Sequence, residues 1–290
     1  MTDTQHRTAG DGIDVRYTGA LPPAEVLAER VRRHGWWYAT EYNLVAAKAW
    51  IVGIAAAAIG NPLVYLLAMG LGLGAAVNAS TGTVDGVSYL VFVAPALLIS
   101  TVVMSAMGET THPVLGGFTW NKTFFAAAST PLEPRQIAGG FFAAILIRFV
   151  WQGTIFWVFM LIFGASPSPW SWLVVPIGVL AGASLAGPMM AFSATREDGM
   201  DPSFVLIQRF VIMPMFLFAG TFFPLEVMPV YLRWIGWVSP IWHGTQLARV
   251  ASYASHVPWW LISVHLAFLL VTAAVGLWAA TRVFRRRLTS

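Results

Sequence analysis

Few residues of this chain have the type and spacing for chemistry. Glu109 and His112 stand three apart, as a metal-ligating pair on one helix face would. His112 precedes Pro113, at a helix end, so the pair reads as loop residues. The two lysines are Lys48 and Lys122, and neither closes a G-x-x-x-x-G-K-[ST] run, which excludes a phosphate-cradling P-loop. No H-E-x-x-H, G-x-S-x-G or Ser-x-x-Lys occurs. With no cysteine there is no thiol nucleophile, disulfide or thiolate metal site. His243, His256 and His265 read as histidines that satisfy a hydrogen bond. No catalytic residue and no metal ligand is assigned, and enzymatic chemistry in this chain is poorly supported. Arg148 stands out, because an arginine at the centre of an apolar helix costs about 2.5–3.5 kcal/mol to insert in a membrane. Gln152 follows one turn later, and Gln208 and Arg209 form a second polar pair. These four are the candidate lining of a path for a polar or anionic group. The competing role for Arg148 is an internal lock between helices, with Glu109 as partner.

The elements that must position these residues follow from composition. Of 290 residues, 57% are hydrophobic and 10% charged, against about 25% charged in a soluble domain. Mean hydropathy is +0.68. Disordered chains and water-soluble globules are excluded, leaving an integral membrane protein. A span needs about 20 apolar residues. Six are predicted: Ala49–Val77, Val87–Gly108, Ile137–Phe163, Trp170–Ala194, Pro202–Phe222 and Trp259–Val283. The first starts too late and is too long for a cleavable signal peptide, and Asn61-Pro62 within it predicts a kink. Asp201-Pro202 is a cap signal for the fifth. The Gly70/Gly74 and Gly178/Gly182 pairs, with Ala186 one turn on, predict close helix approach.

Lys and Arg placement sets the orientation. With the N-terminus inside, cytoplasmic segments hold Arg7, Arg16, Arg30, Arg32, Arg33, Lys48, Lys122, Arg135, Arg196, Arg282, Arg285, Arg286 and Arg287; external loops hold only Arg233 and Arg249. Both termini are therefore expected in the cytoplasm of a bacterial cell, with the chain multi-pass in the cytoplasmic membrane. The same bias explains the net charge of +4 without a nucleic-acid partner; membrane lipid is the partner of the arginine-rich tail.

Between the spans, the expected organisation is a disordered tail over 1–22, an amphipathic interfacial helix over 23–48, the six-span domain over 49–283 and a basic tail over 284–290. The loop 109–136 contains a short helix stopped by Pro131 and Pro134, with Phe124 and Phe125 in need of a cover. The segment 223–257 is too apolar for an ordinary loop and too broken for a span. Short re-entrant helices fit it best.

Two stretches carry a resemblance. One is Thr130-Pro131-Leu132-Glu133-Pro134-Arg135-Gln136-Ile137-Ala138-Gly139-Gly140. The other is Phe218-Ala219-Gly220-Thr221-Phe222-Phe223-Pro224-Leu225, with Met228-Pro229, Leu232, Trp234, Ser239-Pro240, His243 and Gln246-Leu247-Ala248-Arg249 following. Over residues 24–283 the chain resembles the permease subunit of ABC-2 type exporters, in the branch of nodulation lipo-oligosaccharide and daunorubicin-type drug permeases. The resemblance implies an all-α protein of six transmembrane helices working as a homo- or heterodimer. It implies a separate ATPase subunit that binds ATP and Mg, with no cofactor in this chain. Residues 117–130 match the coupling loop of that family, which assigns Lys122, Thr123, Phe124, Phe125 and Glu133 to the ATPase contact. The re-entrant segment would be the external gate, with Phe223, Pro224, Glu226 and His243. The expected cargo is an amphiphile, a lipid-linked saccharide or a hydrophobic drug. An ion-coupled transporter would need carboxylates well inside a span, and a lipid-modifying enzyme would need an acid–base or metal cluster; the sequence offers neither.

Overall fold

The computed structural model describes residues 24–197 and 201–289. The tail expected over 1–22 lies outside them. All named elements are helical: α1 (Ala24–Ala47), α2 (Ile51–Leu66), α3 (Gly74–Thr81), α4 (Tyr89–Thr110), α5 (His112–Phe118), α6 (Thr123–Ala128), α7 (Pro134–Ile162), α8 (Val174–Ala194), α9 (Ser203–Ile207), α10 (Met213–Phe218), α11 (Val230–Trp237), α12 (Pro240–Tyr253) and α13 (Trp259–Thr289). Five stretches are long and apolar enough to cross a membrane: Ile51–Val77, Tyr89–Phe118, Pro134–Ile162, Ser171–Ala194 and Trp259–Thr289. The stretch expected as a fifth span forms a shorter apolar helix, Ser203–Phe218. Its 16 residues reach about 24 Å, less than the ~30 Å hydrocarbon layer.

The helix α4 is the axis of the bundle. Val93, Ala94, Leu97, Leu98, Ile99, Val102 and Val103 are all buried, on every side of the helix. It packs against α7, α8 and α12, and α8 packs most extensively on α13. Apolar helices in lipid gain nothing from expelling water, so they associate where small residues let backbones approach. At the α8–α13 crossing a Cβ on Gly187 would sit 2.8 Å from the Leu277 amide nitrogen, and one on Gly276 would overlap Pro188. The predicted Gly178/Gly182 face also serves this purpose: a Cβ on Gly182 would stand 2.8 Å from both Val102 and Phe149.

Three local features add to these expectations. The first span stays α-helical through Pro62, and a π-helical turn follows over Leu67–Leu73. A proline removes one hydrogen bond, but three glycines (Gly70, Gly72, Gly74) make the widened turn sterically easy. The basic tail is the last turn of α13. There Arg287 donates to the carbonyls of Ala194 (2.7 Å) and Arg196 (2.5 Å), capping α8. Phe124 needs no external cover, as described below. The cap ahead of α9 is as expected. The Asp201 carboxylate accepts the Ser203 N–H at 2.8 Å and the Ser203 hydroxyl, which hold it below the usual carboxylate range.

The helix α1 crosses the start of α7 at two glycines. A Cβ on Gly140 would meet the Ala39 methyl at 2.5 Å and the Trp36 carbonyl at 2.6 Å, and one on Gly35 would meet Gln136 Oε1 at 2.5 Å. Gln136 in turn donates to the carbonyls of Val31 (3.1 Å) and Arg32 (2.9 Å). Gly140→Leu should therefore detach α1 while the spans still insert. Limited proteolysis is the check: cleavage within 24–47 should become fast, with the fragment from residue 49 onward intact.

Candidate functional site

The first polar group lies between α4 and α7. Arg148 sits fourteen residues into α7, about 21 Å along its axis. Its Nη1 lies 2.9 Å from Glu109 Oε2, with 21% and 26% of the two side chains exposed. Gln152 donates to Ser105 at 2.9 Å, one turn along both helices. The four residues form a polar ladder beside a 140 Å³ cavity closed by Ile54, Ala57 and Ala58 of the first span. Gln208 and Arg209 lie elsewhere, in the π-turn between α9 and α10, beside a 330 Å³ cavity with Met104, Gly108 and His112. The two cavities share no wall residue. The four candidate path residues are thus two separate pairs, each beside α4.

The second group lies at the end that carries α1, α5, α6 and the close of α13. Lys122 adopts a left-handed backbone (φ 51°) and is exposed. Phe124 is 5% exposed, with its ring 4.8 Å from that of Phe118, 4.9 Å from Phe284 and 5.4 Å from Phe141. Part of its cover, Phe284, comes from α13, 160 residues distant in sequence, where no local pattern points to it. Phe125 remains 37% exposed and Trp120 55%. Glu133 caps α7, its backbone N–H accepted by Gln136 Oε1 at 3.0 Å in a capping box. Thr123 and Phe124 line a 290 Å³ groove with Tyr38, Tyr42 and Asn43 of α1. The α1 helix and the α6 loop therefore form one continuous surface.

The third group lies at the opposite end, where α10 gives way to α11 and α12. Gly220 turns the chain with φ 76°, and three ties hold that turn to the bundle. Arg249 donates to the Gly220 carbonyl (2.8 Å), Ser100 pairs with Thr221 (3.2 Å), and the Tyr89 hydroxyl donates to the Phe222 carbonyl (3.2 Å). Arg249 is 2% exposed, and its guanidinium also lies 3.7 Å above the Phe92 ring. No carboxylate among the described residues lies within ion-pair distance of it. Its Nε also donates to the Phe92 carbonyl at 3.4 Å, so two carbonyls and one aromatic face stabilise its charge. Sequence reasoning counted Arg249 only as a loop charge. The signal that could have found it is the small-residue face of α12, with Gly244, Ala248 and Ser252 four apart, which marks that helix as inserted into the bundle. A Cβ on Gly244 would stand 2.8 Å from Ile99.

The candidate gate residues separate as well. Phe223 and Pro224 line a 910 Å³ apolar groove with Met69, Leu73, Leu217 and Phe218. Glu226 and Pro224 face a polar cavity of 280 Å³. His243 lies in neither; it is buried against α13. Its Nε2 is 3.0 Å from the Trp237 carbonyl and its Nδ1 is 2.8 Å from His265 Nδ1. A carbonyl only accepts, so the neutral His243 ring carries its proton on Nε2 and accepts from His265 Nδ1–H. That leaves His265 Nε2 without a partner. Phe268 stacks 3.9 Å from the His243 ring. The pair joins α12 to α13.

Two outcomes follow from these ties. Glu109→Gln should destabilise the fold by about 3 kcal/mol or less, because it leaves Arg148 unpaired, while Glu109→Gln with Arg148→Met should recover most of that loss. Arg249→Ala should cost about 3 kcal/mol from two charged hydrogen bonds and lost packing, and Arg249→Lys should restore less than half, since an ammonium cannot fork across two carbonyls. Thermal unfolding in detergent micelles, followed by far-UV circular dichroism, measures both.

Comparison with known proteins places these features in a family. Residues 46–253 match the family model for ABC-2 type transporters. The chain is similar to nodulation protein J of Rhizobium leguminosarum bv. viciae, at 28% identity over 243 residues, 83% of this chain and 91% of that protein. Nodulation protein J of Rhizobium meliloti is 26% identical over 274 residues, 94% and 98% of the two chains. That of Neorhizobium galegae is 28% identical over 249 residues, 83% and 90%. The matched region runs from the first span to the end of α12, and so includes Glu109, Arg148, the α6 loop and Arg249 but neither the α1 wall of the groove nor His265 and Phe284 of α13. The chain belongs to the ABC-2 type transporter family, as a multi-pass membrane permease subunit that works with an ATP-hydrolysing partner and is not itself an enzyme.

Proposed function

We propose that this permease exports an amphiphile with a polar head and an apolar tail, outward across the bacterial cytoplasmic membrane. The observation that carries the reading is the 910 Å³ groove, which is apolar along Met69, Leu73, Val77, Leu217 and Phe222 and opens beside a polar cavity. A tail and a head need adjoining surfaces of these two kinds. A lipid-linked saccharide or lipo-oligosaccharide fits best, in keeping with the resemblance of residues 218–249 to that branch; a hydrophobic drug would use the groove alone. Ion coupling has little support, because Glu109 is committed to Arg148.

The working unit is a dimer of permeases, each with six spans and both termini in the cytoplasm. The first span and the 203–218 helix support this. Both border the apolar groove, and both leave large side chains uncovered, among them Val52 (80% exposed) and Phe210 (73%). A second permease subunit, identical or not, would cover these faces and complete a hydrophobic thickness that the 203–218 helix alone does not reach. In this arrangement α1 lies along the cytoplasmic membrane surface, with Trp36, Trp37 and Tyr38 at headgroup level. The segment 223–257, with α11 and α12, re-enters from the outside. Phe223, Pro224 and Glu226 form the external gate, and His243 fixes the helix behind it. Arg148 and Gln152 lock α7 to α4, and Gln208 and Arg209 present the polar side of the path.

Coupling to the ATPase then falls to the surface shared by α1 and the α6 loop, with Lys122, Thr123, Phe125, Trp120 and the α7 cap Glu133. Phe124 supports this surface from beneath. The two phenylalanines should separate experimentally. Phe125→Ala with Trp120→Ala should release the ATPase, at about 2 kcal/mol or more for each truncated anchor, while the permease stays folded. Phe124→Ala should instead cost about 3–5 kcal/mol of permease stability. Co-purification of the ATPase and detergent melting of the permease are the two readouts. A Phe125/Trp120 variant that binds the ATPase and exports normally would remove this loop as the coupling element.

A further inference from the structure

The first span carries an irregularity that no proline explains. In the 203–218 helix the π-helical turn over Gln208–Ile212 lies just before Pro214, whose ring and missing N–H call for such an adjustment. In the first span Pro62 stands within regular α-helix, and the π-helical turn lies beyond it, over Leu67–Leu73. There the Gly74 N–H donates to the Met69 carbonyl, five residues back. A Cβ on Gly74 would stand 2.8 Å from that carbonyl oxygen, whereas one on Gly72 would meet nothing within 4 Å. Glycine at 74 is therefore what permits the wide turn. Such a turn holds one residue more than an α-turn, is the rarer form and recurs at functional sites. Reverting to α moves that residue into the helix, which turns one side against the other by about 100° and lengthens the whole by about 1.5 Å.

The two sides of the turn are held unequally. Beyond it, α3 leads into a segment where Val84 and Val87 exchange two hydrogen bonds and Asp85 accepts from Tyr253 and Ser255. Before it, α2 buries only Ala58, Pro62 and Leu66 and leaves Val52, Ile59, Leu63 and Val64 uncovered. No ionised residue lies between Lys48 and Asp85, so turning α2 carries no charge into lipid. Ahead of α2, Lys48–Trp50 is a 3₁₀ turn. Its three residues shorten by about 1.5 Å on becoming α, which takes up the added length. We propose that the first span is a rotary switch: with α3 fixed, α2 turns by one residue about its axis as the Leu67–Leu73 turn converts between π and α. The observed state sets Ala58 and Pro62 against the bundle, and the other sets Ile59 and Leu63 there. Ile54, Ala57 and Ala58 close the 140 Å³ cavity beside Arg148 and Glu109, and Ile59 in the place of Ala58 intrudes on it. The switch thus governs whether that ion pair has free space beside it. Its biological sense rests on the permease reading, in which α1, joined to α2, faces the ATPase; its test does not.

The chain has no cysteine, so engineered pairs report cleanly, and Ser105 lines the same cavity as Ala58. Two double variants of the full chain in lipid nanodiscs, Ala58→Cys with Ser105→Cys and Ile59→Cys with Ser105→Cys, are treated with a short bifunctional methanethiosulfonate. The first pair should link readily and the second slowly but measurably. Adding Gly74→Ala should move the ratio of the two links toward the second pair by about tenfold or more. Gly72→Ala, with the same gain in helix propensity and no clash, should move it about threefold or less. Deleting Gly72 removes the extra residue, so a regular helix then keeps α2 in its present orientation. With that deletion the first pair should link and the second should not. Should Gly74→Ala fail to insert, the deletion carries the test. No link for the second pair without Gly74→Ala, an unchanged ratio in a folded Gly74→Ala chain, or loss of the first link on deletion would each overturn the switch. Those outcomes leave the permease reading standing, whereas failure of the ATPase to co-purify with the wild-type chain removes that reading and leaves the cross-links as they are.

Discussion

A helix buried on all sides within lipid must be held by contact alone. Neighbouring apolar helices are no more attractive than lipid tails unless they approach more closely than tails can. The helix α4 is under that constraint from Val93 to Val103, and most of the fold is its consequence. Small residues on α8 and α12 (Gly178, Gly182 and Gly244) admit the branched side chains Leu98, Ile99 and Val102. The α8–α13 crossing at Gly187 and Gly276 closes the outer layer. The first span makes one such approach, Gly70 against Leu90, and otherwise stays largely uncovered, as does the 203–218 helix.

Seating α12 against α4 has an electrostatic cost, because it brings Arg249 inside. The structure offsets that cost without an acid, through the Gly220 carbonyl, the Phe92 carbonyl and the Phe92 ring. The same contacts fix the Gly220–Phe222 turn, so an arginine that resembles a loop charge is what anchors the segment that follows α10. His243 and His265 do the equivalent on the other side of α12, through a chain of hydrogen bonds that begins at the Trp237 carbonyl.

The two ends of the molecule are joined through one rigid element. At one end α4 passes into α5 and the α6 loop, whose Phe124 is clamped by α7 and α13. Along its other half, Tyr89, Phe92 and Ser100 carry the ties to the 220–222 turn. The connection between the two ends is built from packing and from these hydrogen bonds.

The sequence by itself determined the membrane class, the helical character and the position of five of the six expected long apolar stretches, because charges are costly in hydrocarbon and mark where most of them stop; Tyr89–Phe118 and Trp259–Thr289 run past the expected ends at Gly108 and Val283. It also gave catalysis little support, and it singled out Arg148 with Glu109 as a candidate partner. Local signals sufficed there: a run of apolar residues, a cap at Asp201 and a lone cation. Tertiary structure alone decided the rest. It buried Phe124 under Phe284, divided the four candidate path residues into two pairs, set His243 against His265, and turned Arg249 from a loop charge into a clamp. Each of these depends on which helix lies beside which. In an apolar chain that choice is made by close fits of glycine against methyl groups, and such fits leave almost no trace in hydropathy or charge.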